Sequence, residues 1–103
     1  MDWSESQIQA VWEKGATAGK VNSQQWRKDA CGAWICRAHF NDRKSPFGWE
    51  IDRIRIEENG KSNELDNLRP LQWKNLQMKK GDELSCPVIA NGGLNMDFST
   101  LQG

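Results

Sequence analysis

Three cysteines and a single histidine are the residues of this sequence best suited to binding a metal ion: Cys31, Cys36, His39 and Cys86. Thiolate and imidazole groups suit zinc, so a zinc site is one interpretation. The spacing Cys-x4-Cys-x2-His is not that of a standard zinc knuckle, and free cysteine is commonly buried. Three small core side chains and a surface histidine are therefore the preferred interpretation. An odd number of cysteines without a Cys-x-x-Cys pair also argues against a disulfide framework in a cytoplasmic protein.

Basic side chains form a second group with possible chemistry, because cations bind phosphate groups. The chain has 14 Lys+Arg and 14 Asp+Glu, so its net charge is zero, yet the charges are segregated along the sequence. Residues 69–80 carry four basic residues and no acidic one, whereas residues 57–66 carry four acidic residues and one basic one. The candidate contacts to nucleic acid or to a partner are Arg53, Arg55, Arg69, Lys74, Lys79 and Lys80. A neutral protein has no strong long-range attraction to nucleic acid, so a solvated basic face is the alternative.

The elements that must position these residues belong to one small domain. The chain has 103 residues, of which 37% are hydrophobic, and this is enough for a single core. Six tryptophans and three phenylalanines supply large apolar surfaces, so the core is expected to be aromatic. No apolar run approaches the roughly 18 residues of a membrane span, and the first residues are polar and acidic. We therefore expect a cytoplasmic protein with no membrane partner.

The first 40 residues predict one helix, followed by two segments whose structure is less clearly defined by the sequence. Ser4 and Gln7 have the spacing of a capping box, and Ile8 begins an apolar stripe typical of an amphipathic helix that stops at Gly15. A short helical or turn segment is predicted over residues 24–29, with Trp26 as its anchor. Residues 31–40 fit either a strand or an irregular packed segment.

The middle of the chain predicts two strands and a helix. Apolar and charged residues alternate over residues 49–54, which predicts a strand with Trp49 and Ile51 on one face and Asp52 on the other. A second short strand is predicted to open with Leu65 and Leu68. Pro70 has the features of a first helical residue, and Gly81 those of a helix end. The segment after residue 82 predicts one packed strand followed by a loose end.

Three stretches of the sequence carry a resemblance to a known family: WRKDACGAWI (26–35), GWEID (48–52) and DNLRPLQWKN (66–75). Together they closely resemble small bacterial and phage HNH endonuclease domains. The resemblance spans residues 25–90. It implies an α+β fold with an HNH-like ββα unit at about residues 49–80, preceded by a helix and loop over residues 1–24 and followed by a tail over residues 91–103.

The resemblance also implies that catalytic residues have been lost. In active members an aspartate binds a divalent metal and the next residue, a histidine, deprotonates water; here these positions hold Asp52 and Arg53. A guanidinium group has only donors and stays protonated, so it cannot act as a general base. Asn67 matches the family asparagine that pins the loop. A metal-ligating position on the helix falls on Leu76, or on Asn75 if the match shifts by one residue, and leucine cannot bind a hard cation.

These substitutions predict a catalytically degenerate protein with no metal or other cofactor, in which Asp52 and Arg53 either form a salt bridge or are vestiges of the site. The function we expect is that of a non-catalytic HNH-like binding protein that inhibits or regulates a nucleic-acid-processing complex. A phage anti-defence protein of the anti-CRISPR type is the obvious class, and its partner would be a protein or ribonucleoprotein, or DNA itself. The alternatives are an active metal-dependent endonuclease that uses another base such as His39, and a simple DNA-binding module.

Overall fold

The computed structural model describes residues 3–56 and 62–101, which form a small α+β domain as the sequence predicted. The helices and strands, in chain order, are α1 (Glu5–Trp12), β1 (Trp26–Lys28), β2 (Trp34–Cys36), β3 (Trp49–Arg53), β4 (Leu68–Gln72), α2 (Trp73–Gln77), β5 (Val88–Asn91) and β6 (Leu94–Asp97). The strands form three antiparallel pairs, β1–β2, β3–β4 and β5–β6. Within the described residues, neither helix has the length and apolar character needed to cross a bilayer.

Helix α1 begins where the capping box predicts. The Ser4 hydroxyl accepts a hydrogen bond from the Gln7 backbone at 3.1 Å, and the Gln7 side chain accepts one from the Ser4 backbone at 2.9 Å. Both bonds satisfy amide groups that the first helical turn leaves without a partner. The helix ends at Trp12, before the predicted stop at Gly15. Its apolar stripe, Ile8, Val11 and Trp12, is buried.

The prediction of a helical or turn segment over residues 24–29 is wrong for its second half, which is strand β1. Trp26 lies opposite Cys36 in the pairing with β2, and Lys28 exchanges backbone hydrogen bonds with Ala16 at 2.8 and 2.9 Å. Strand β1 therefore pairs with β2 along its whole length, and its last residue also pairs with Ala16 on the opposite edge. These partners are distant in sequence, and three residues are too few to show an alternating pattern.

Pro70 lies in strand β4 opposite Ile51, so its assignment to the first turn of a helix is wrong. The bonds from the Ile54 amide to the Asn67 carbonyl and from the Trp73 amide to the Gly48 carbonyl fix which β3–β4 pairs are hydrogen-bonded. Because such pairs alternate, Ile51 and Pro70 form a non-hydrogen-bonded pair. The missing N–H of proline therefore costs β4 no bond to β3. Helix α2 begins three residues after Pro70. The chain therefore has the predicted order of elements here, with strand β3, a loop, strand β4 and helix α2.

The core lies where α1 packs against the β3–β4 pair, and it is less aromatic than expected, because only two of the six tryptophans are among its buried residues. Trp12 and Trp49 are fully buried, with ring centroids 5.3 Å apart, and Phe40 packs 4.8 Å from Trp49. Just before Trp49, Gly48 allows the chain to pass close to the backbone of Asp42, because a Cβ atom there would lie 1.8 Å from the Asp42 carbonyl oxygen.

The C-terminal segment is more ordered than predicted. Strands β5 and β6 form a hairpin across Gly92 and Gly93, so the predicted loose end is wrong over residues 91–97. A disulfide joins Cys31 to Cys86 and fastens the start of this hairpin to the β1–β2 turn. The expectation of no disulfide is therefore also wrong, because it rested on the assumed compartment and on sequence spacing. Spacing cannot reveal a pair that is 55 residues apart.

Candidate functional site

Asp52 is buried in the middle of the β3–β4 pair, with only 2% of its surface exposed. The predicted alternation put it on a different face from Trp49 and Ile51, yet all three side chains are buried. Helix α2 and the segment after it cover the outer side of β3, which explains why both faces are shielded. An ionised carboxylate in such a place requires compensating charge.

Two cations supply that charge, and neither is Arg53. Arg69, the residue opposite Asp52 in β4, donates from Nε to Oδ2 at 2.7 Å. Lys79 donates from Nζ to Oδ1 at 2.9 Å and also to the Arg53 carbonyl oxygen at 2.6 Å. The Lys79 side chain is 6% exposed and that of Arg69 is 19% exposed. The sequence interpretation of an Asp52–Arg53 salt bridge is therefore wrong, and both oxygens of the carboxylate are used.

The Arg53 side chain takes a different direction from that of Asp52. Its Nε donates to Asn63 Oδ1 at 2.7 Å, and its guanidinium lies 5.4 Å from the ring centroid of Trp3. Successive residues of a strand point to opposite faces, which accounts for the separation of the two side chains. Arg53 thus links strand β3 to the loop before β4 and to the N-terminal residues.

Asn67 fastens the two ends of the connection between β3 and β4. Its side chain accepts from the Arg55 backbone at 3.0 Å and donates to the Arg55 and Ser62 carbonyl oxygens at 2.7 and 2.9 Å. An amide has both donors and acceptors, so one side chain can satisfy several loop backbone groups. The loop between these anchors includes residues 57–61, which lie outside the described residues.

Asn75 is fully buried and belongs to a polar network, so its role is structural packing within the domain. Its amide nitrogen donates to Asp29 Oδ2 at 3.1 Å and to the Val88 carbonyl oxygen at 2.9 Å. Its Oδ1 accepts from the Val88 backbone at 2.8 Å. Helix α2, the β1–β2 turn and strand β5 are thereby joined through one side chain.

Asp29 is the buried polar residue that sequence reasoning missed. Burial raises the pKa of its carboxyl group, although backbone amides of Gln72, Ala33 and Cys31 and the side chain of Asn75 donate to it and oppose the shift. The only signal in the sequence is an aspartate between two short apolar segments, which is equally typical of an exposed turn. Its partner Gln72 caps α2 by accepting from the Lys74 and Asn75 backbones.

An open hollow adjoins Asp52, and its lining decides whether a divalent metal could be held there. Its volume is about 370 Å³, and the lining residues include Asp52, Arg53, Ile56, Leu76 and Lys79. Leu76 provides no oxygen ligand, and both oxygens of Asp52 are already bound to cations. At an effective dielectric of 20, a divalent ion 4 Å from one unit charge is repelled by about 8 kcal/mol before solvent relaxation.

The residues of the hollow therefore do not fit a divalent metal. In the described part of the chain, no three His, Cys, Asp or Glu side chains are grouped to hold any metal ion. Cys31 and Cys86 are bonded to each other, Cys36 is a free thiol, and His39 Nδ1 lies 2.6 Å from the Ser45 hydroxyl. The zinc interpretation thus has no assembled ligand set among these residues.

The six candidate binding residues do not form one exposed basic face. Arg69 and Lys79 are turned inward to Asp52, and Lys74 forms an ion pair with Asp97 at 2.7 Å. Arg55 and Lys80 are exposed. The spacing of basic residues along a strand and a short helix could not reveal which of them a buried carboxylate would take.

The chain has no significant match among protein-family models, curated proteins or solved structures.

Proposed function

We propose that this protein is a non-catalytic, HNH-like binding protein that inhibits or regulates a nucleic-acid-processing complex. The observation that supports this most is the saturation of Asp52 by Arg69 and Lys79. Where the resemblance expects a carboxylate open to a metal ion, the chain has a carboxylate neutralised by its own side chains.

The position expected to hold the general base supports the same proposal. Arg53 cannot accept a proton at neutral pH, and its Nε is engaged by Asn63. Among the described residues that line the hollow there is no histidine. His39, the alternative base, is hydrogen-bonded to Ser45 in the connection between β2 and β3. General-base catalysis is worth about 10² to 10⁴ in rate, so its loss removes most of the activity.

The scaffold that remains is suited to binding. The exposed side chains of Arg55 and Lys80 lie on segments that flank the hollow, and Ile56 in its lining is 73% exposed. Cations beside an exposed apolar side chain are typical of a surface that recognises a charged macromolecule. A phage anti-defence protein that acts in the cytoplasm on a nuclease complex of the CRISPR type is the proposed class.

Two assays test the proposal. In plasmid nicking with Mg²⁺, Mn²⁺ or Ni²⁺, wild-type protein should equal the Asp52→Ala variant, and scission that this variant loses would refute the non-catalytic assignment. In a CRISPR interference assay, wild-type protein should protect the target, and the variant Arg55→Glu/Lys80→Glu should protect it less. Lys44→Glu, an equal change of charge at an exposed residue elsewhere, is the control. Absence of any protection would refute the proposed class.

The alternative function is that of a simple DNA-binding module, and the same variants distinguish it from an inhibitor of a nuclease complex. Binding to a duplex oligonucleotide that weakens steeply with salt and is lost in Arg55→Glu/Lys80→Glu, without any effect on interference, would favour that module.

A further inference from the structure

A small apolar slot lies between the β1–β2 pair and the turn of the β5–β6 hairpin. It is lined by Val21, Trp26, Trp34 and Gly93, and its volume is about 120 Å³. A protein cavity of about 150 Å³ lined by apolar side chains accepts benzene. The slot is therefore of the size that one branched aliphatic side chain would fill.

The walls of the slot are held in place by contacts within the domain. The Trp26 ring packs edge-on against Trp34 and against Phe47, with centroid distances of 6.5 and 5.1 Å. Trp34 donates from Nε1 to the Gly92 carbonyl oxygen at 2.6 Å and from its backbone to Asn95 Oδ1 at 2.8 Å. A preformed slot requires little ordering when a ligand enters, which favours affinity.

A lysine side chain packs against Trp34, which forms one wall of the slot. The Lys28 ammonium lies 4.8 Å from the ring centroid of Trp34, and none of the described carboxylates is within ion-pair distance of it. Lys20 is exposed and directly precedes Val21, which is itself 39% exposed. The neighbouring Arg27 differs, because its guanidinium is taken by the Ser23, Glu13 and Gly15 carbonyl oxygens. Lys28 thus offers a cation beside Trp34, and its complement would be an anionic group on a ligand that fills the slot.

We infer that this slot is a docking site for a protein partner that inserts one Leu, Ile or Val side chain and places an Asp or Glu carboxylate at Lys28. An apolar anchor side chain that fills a pocket is a common element of protein interfaces, and a cation beside the pocket adds selectivity. The inference deepens the proposed function and rests on it only in expecting a protein partner. It uses residues from other elements than those around Asp52, so the two can fail separately.

Selection from a random octapeptide library against the wild-type protein tests the inference. The enriched peptides should share one aliphatic residue with an Asp or Glu nearby. A synthetic peptide of that consensus should bind at least tenfold more weakly to Val21→Glu. It should bind about threefold more weakly to Lys28→Gln, with a smaller salt dependence. Lys44→Gln should bind as wild type does. Val21 is partly exposed, so circular dichroism should show both slot variants to be folded.

The indole N–H resonance of Trp34 reports occupation of the slot directly, and the consensus peptide should shift it. Absence of a consensus, or binding that Val21→Glu leaves unchanged, would overturn the inference. So would a shift of this resonance by single-stranded oligothymidine but not by the peptide, since the slot would then accept a base. If the protein bound the peptide but gave no protection in the CRISPR interference assay, the docking site would stand and only the proposed function would be refuted.

Discussion

The Lys79 ammonium lies 2.9 Å from Oδ1 of Asp52, and the two side chains are 6% and 2% exposed. With Arg69 on the other oxygen, the cluster is a carboxylate between two cations, and it carries an excess of positive charge. The cluster joins strands β3 and β4 to the residues that follow α2. The cations that exclude a metal ion are thus also part of what holds this half of the domain together.

Removal of the Asp52 charge should be strongly destabilising. Asp52→Asn leaves Arg69 and Lys79 without a counter-charge in a buried place, and loss of one partner of a buried pair costs about 3 to 5 kcal/mol. Urea unfolding measures this loss. Glu50→Gln breaks the Arg43–Glu50 pair, in which Arg43 is 53% exposed, and it should cost less than about 1 kcal/mol. Equal effects of the two substitutions would contradict the importance of burial.

Reduction of the Cys31–Cys86 bond should lower stability. A cross-link between residues 55 apart restricts the unfolded chain, and interpolation between known loop lengths gives about 4 kcal/mol. Dithiothreitol should therefore lower the melting temperature of wild-type protein and of Cys36→Ser, but not that of Cys31→Ser/Cys86→Ser. An equal shift of all three proteins would show that the reductant acts elsewhere.

Asn67 should control the order of the loop before β4. Asn67→Ala removes three hydrogen bonds, and we expect a loss of about 2 kcal/mol together with faster amide exchange at Arg55. The Ile54 amide is the internal control, because it donates to the backbone carbonyl of Asn67, which the substitution retains. If the ratio of the exchange rates at Arg55 and Ile54 were the same in Asn67→Ala as in wild type, this role of Asn67 would be refuted.

Asp29 and Asp97 should titrate on opposite sides of the ordinary aspartate value of 3.8. Burial raises the pKa of Asp29, so its contribution to stability is full below pH 3.8 and is lost as the pH rises through the higher folded pKa. The hydrogen bond from Lys74 lowers the pKa of Asp97 to about 2, so its contribution is present above pH 3.8 and is lost as the pH falls towards 2. Side-chain carboxyl ¹³C shifts measure both midpoints. A midpoint for Asp29 at or below 3.8 would contradict the prediction.

The parts of the fold that the sequence predicted correctly depend on neighbours in the chain. The Ser4 capping box and the alternation through β3 are signals within ten residues, and both elements were found. Strand β1, Pro70 and the Cys31–Cys86 bond depend instead on partners that the sequence does not place. Pro70 shows this most clearly, because only the β3–β4 register reveals that its missing N–H faces away from β3.

The candidate site was predicted less well, for the same reason. Asp52 was singled out as a residue of interest, but the distant Lys79 was expected at a basic surface, whereas its side chain is turned inward against Asp52. Charge along a sequence does not show which cation a buried carboxylate will attract. The network around Asp29 was missed altogether, since its members come from three separated segments.

The contact between Asn75 and Val88 has a consequence for how the protein behaves at high concentration. The primary amide of Asn75 meets both the N–H and the C=O of Val88, as a neighbouring strand would, while the Gly32 carbonyl oxygen accepts from the Ala90 amide farther along β5. The edge of β5 that does not face β6 is thus hydrogen-bonded to the Asn75 side chain and to the β1–β2 turn. A bare edge would be a template for pairing with other chains, so these hydrogen bonds should protect the hairpin from aggregation without an additional strand.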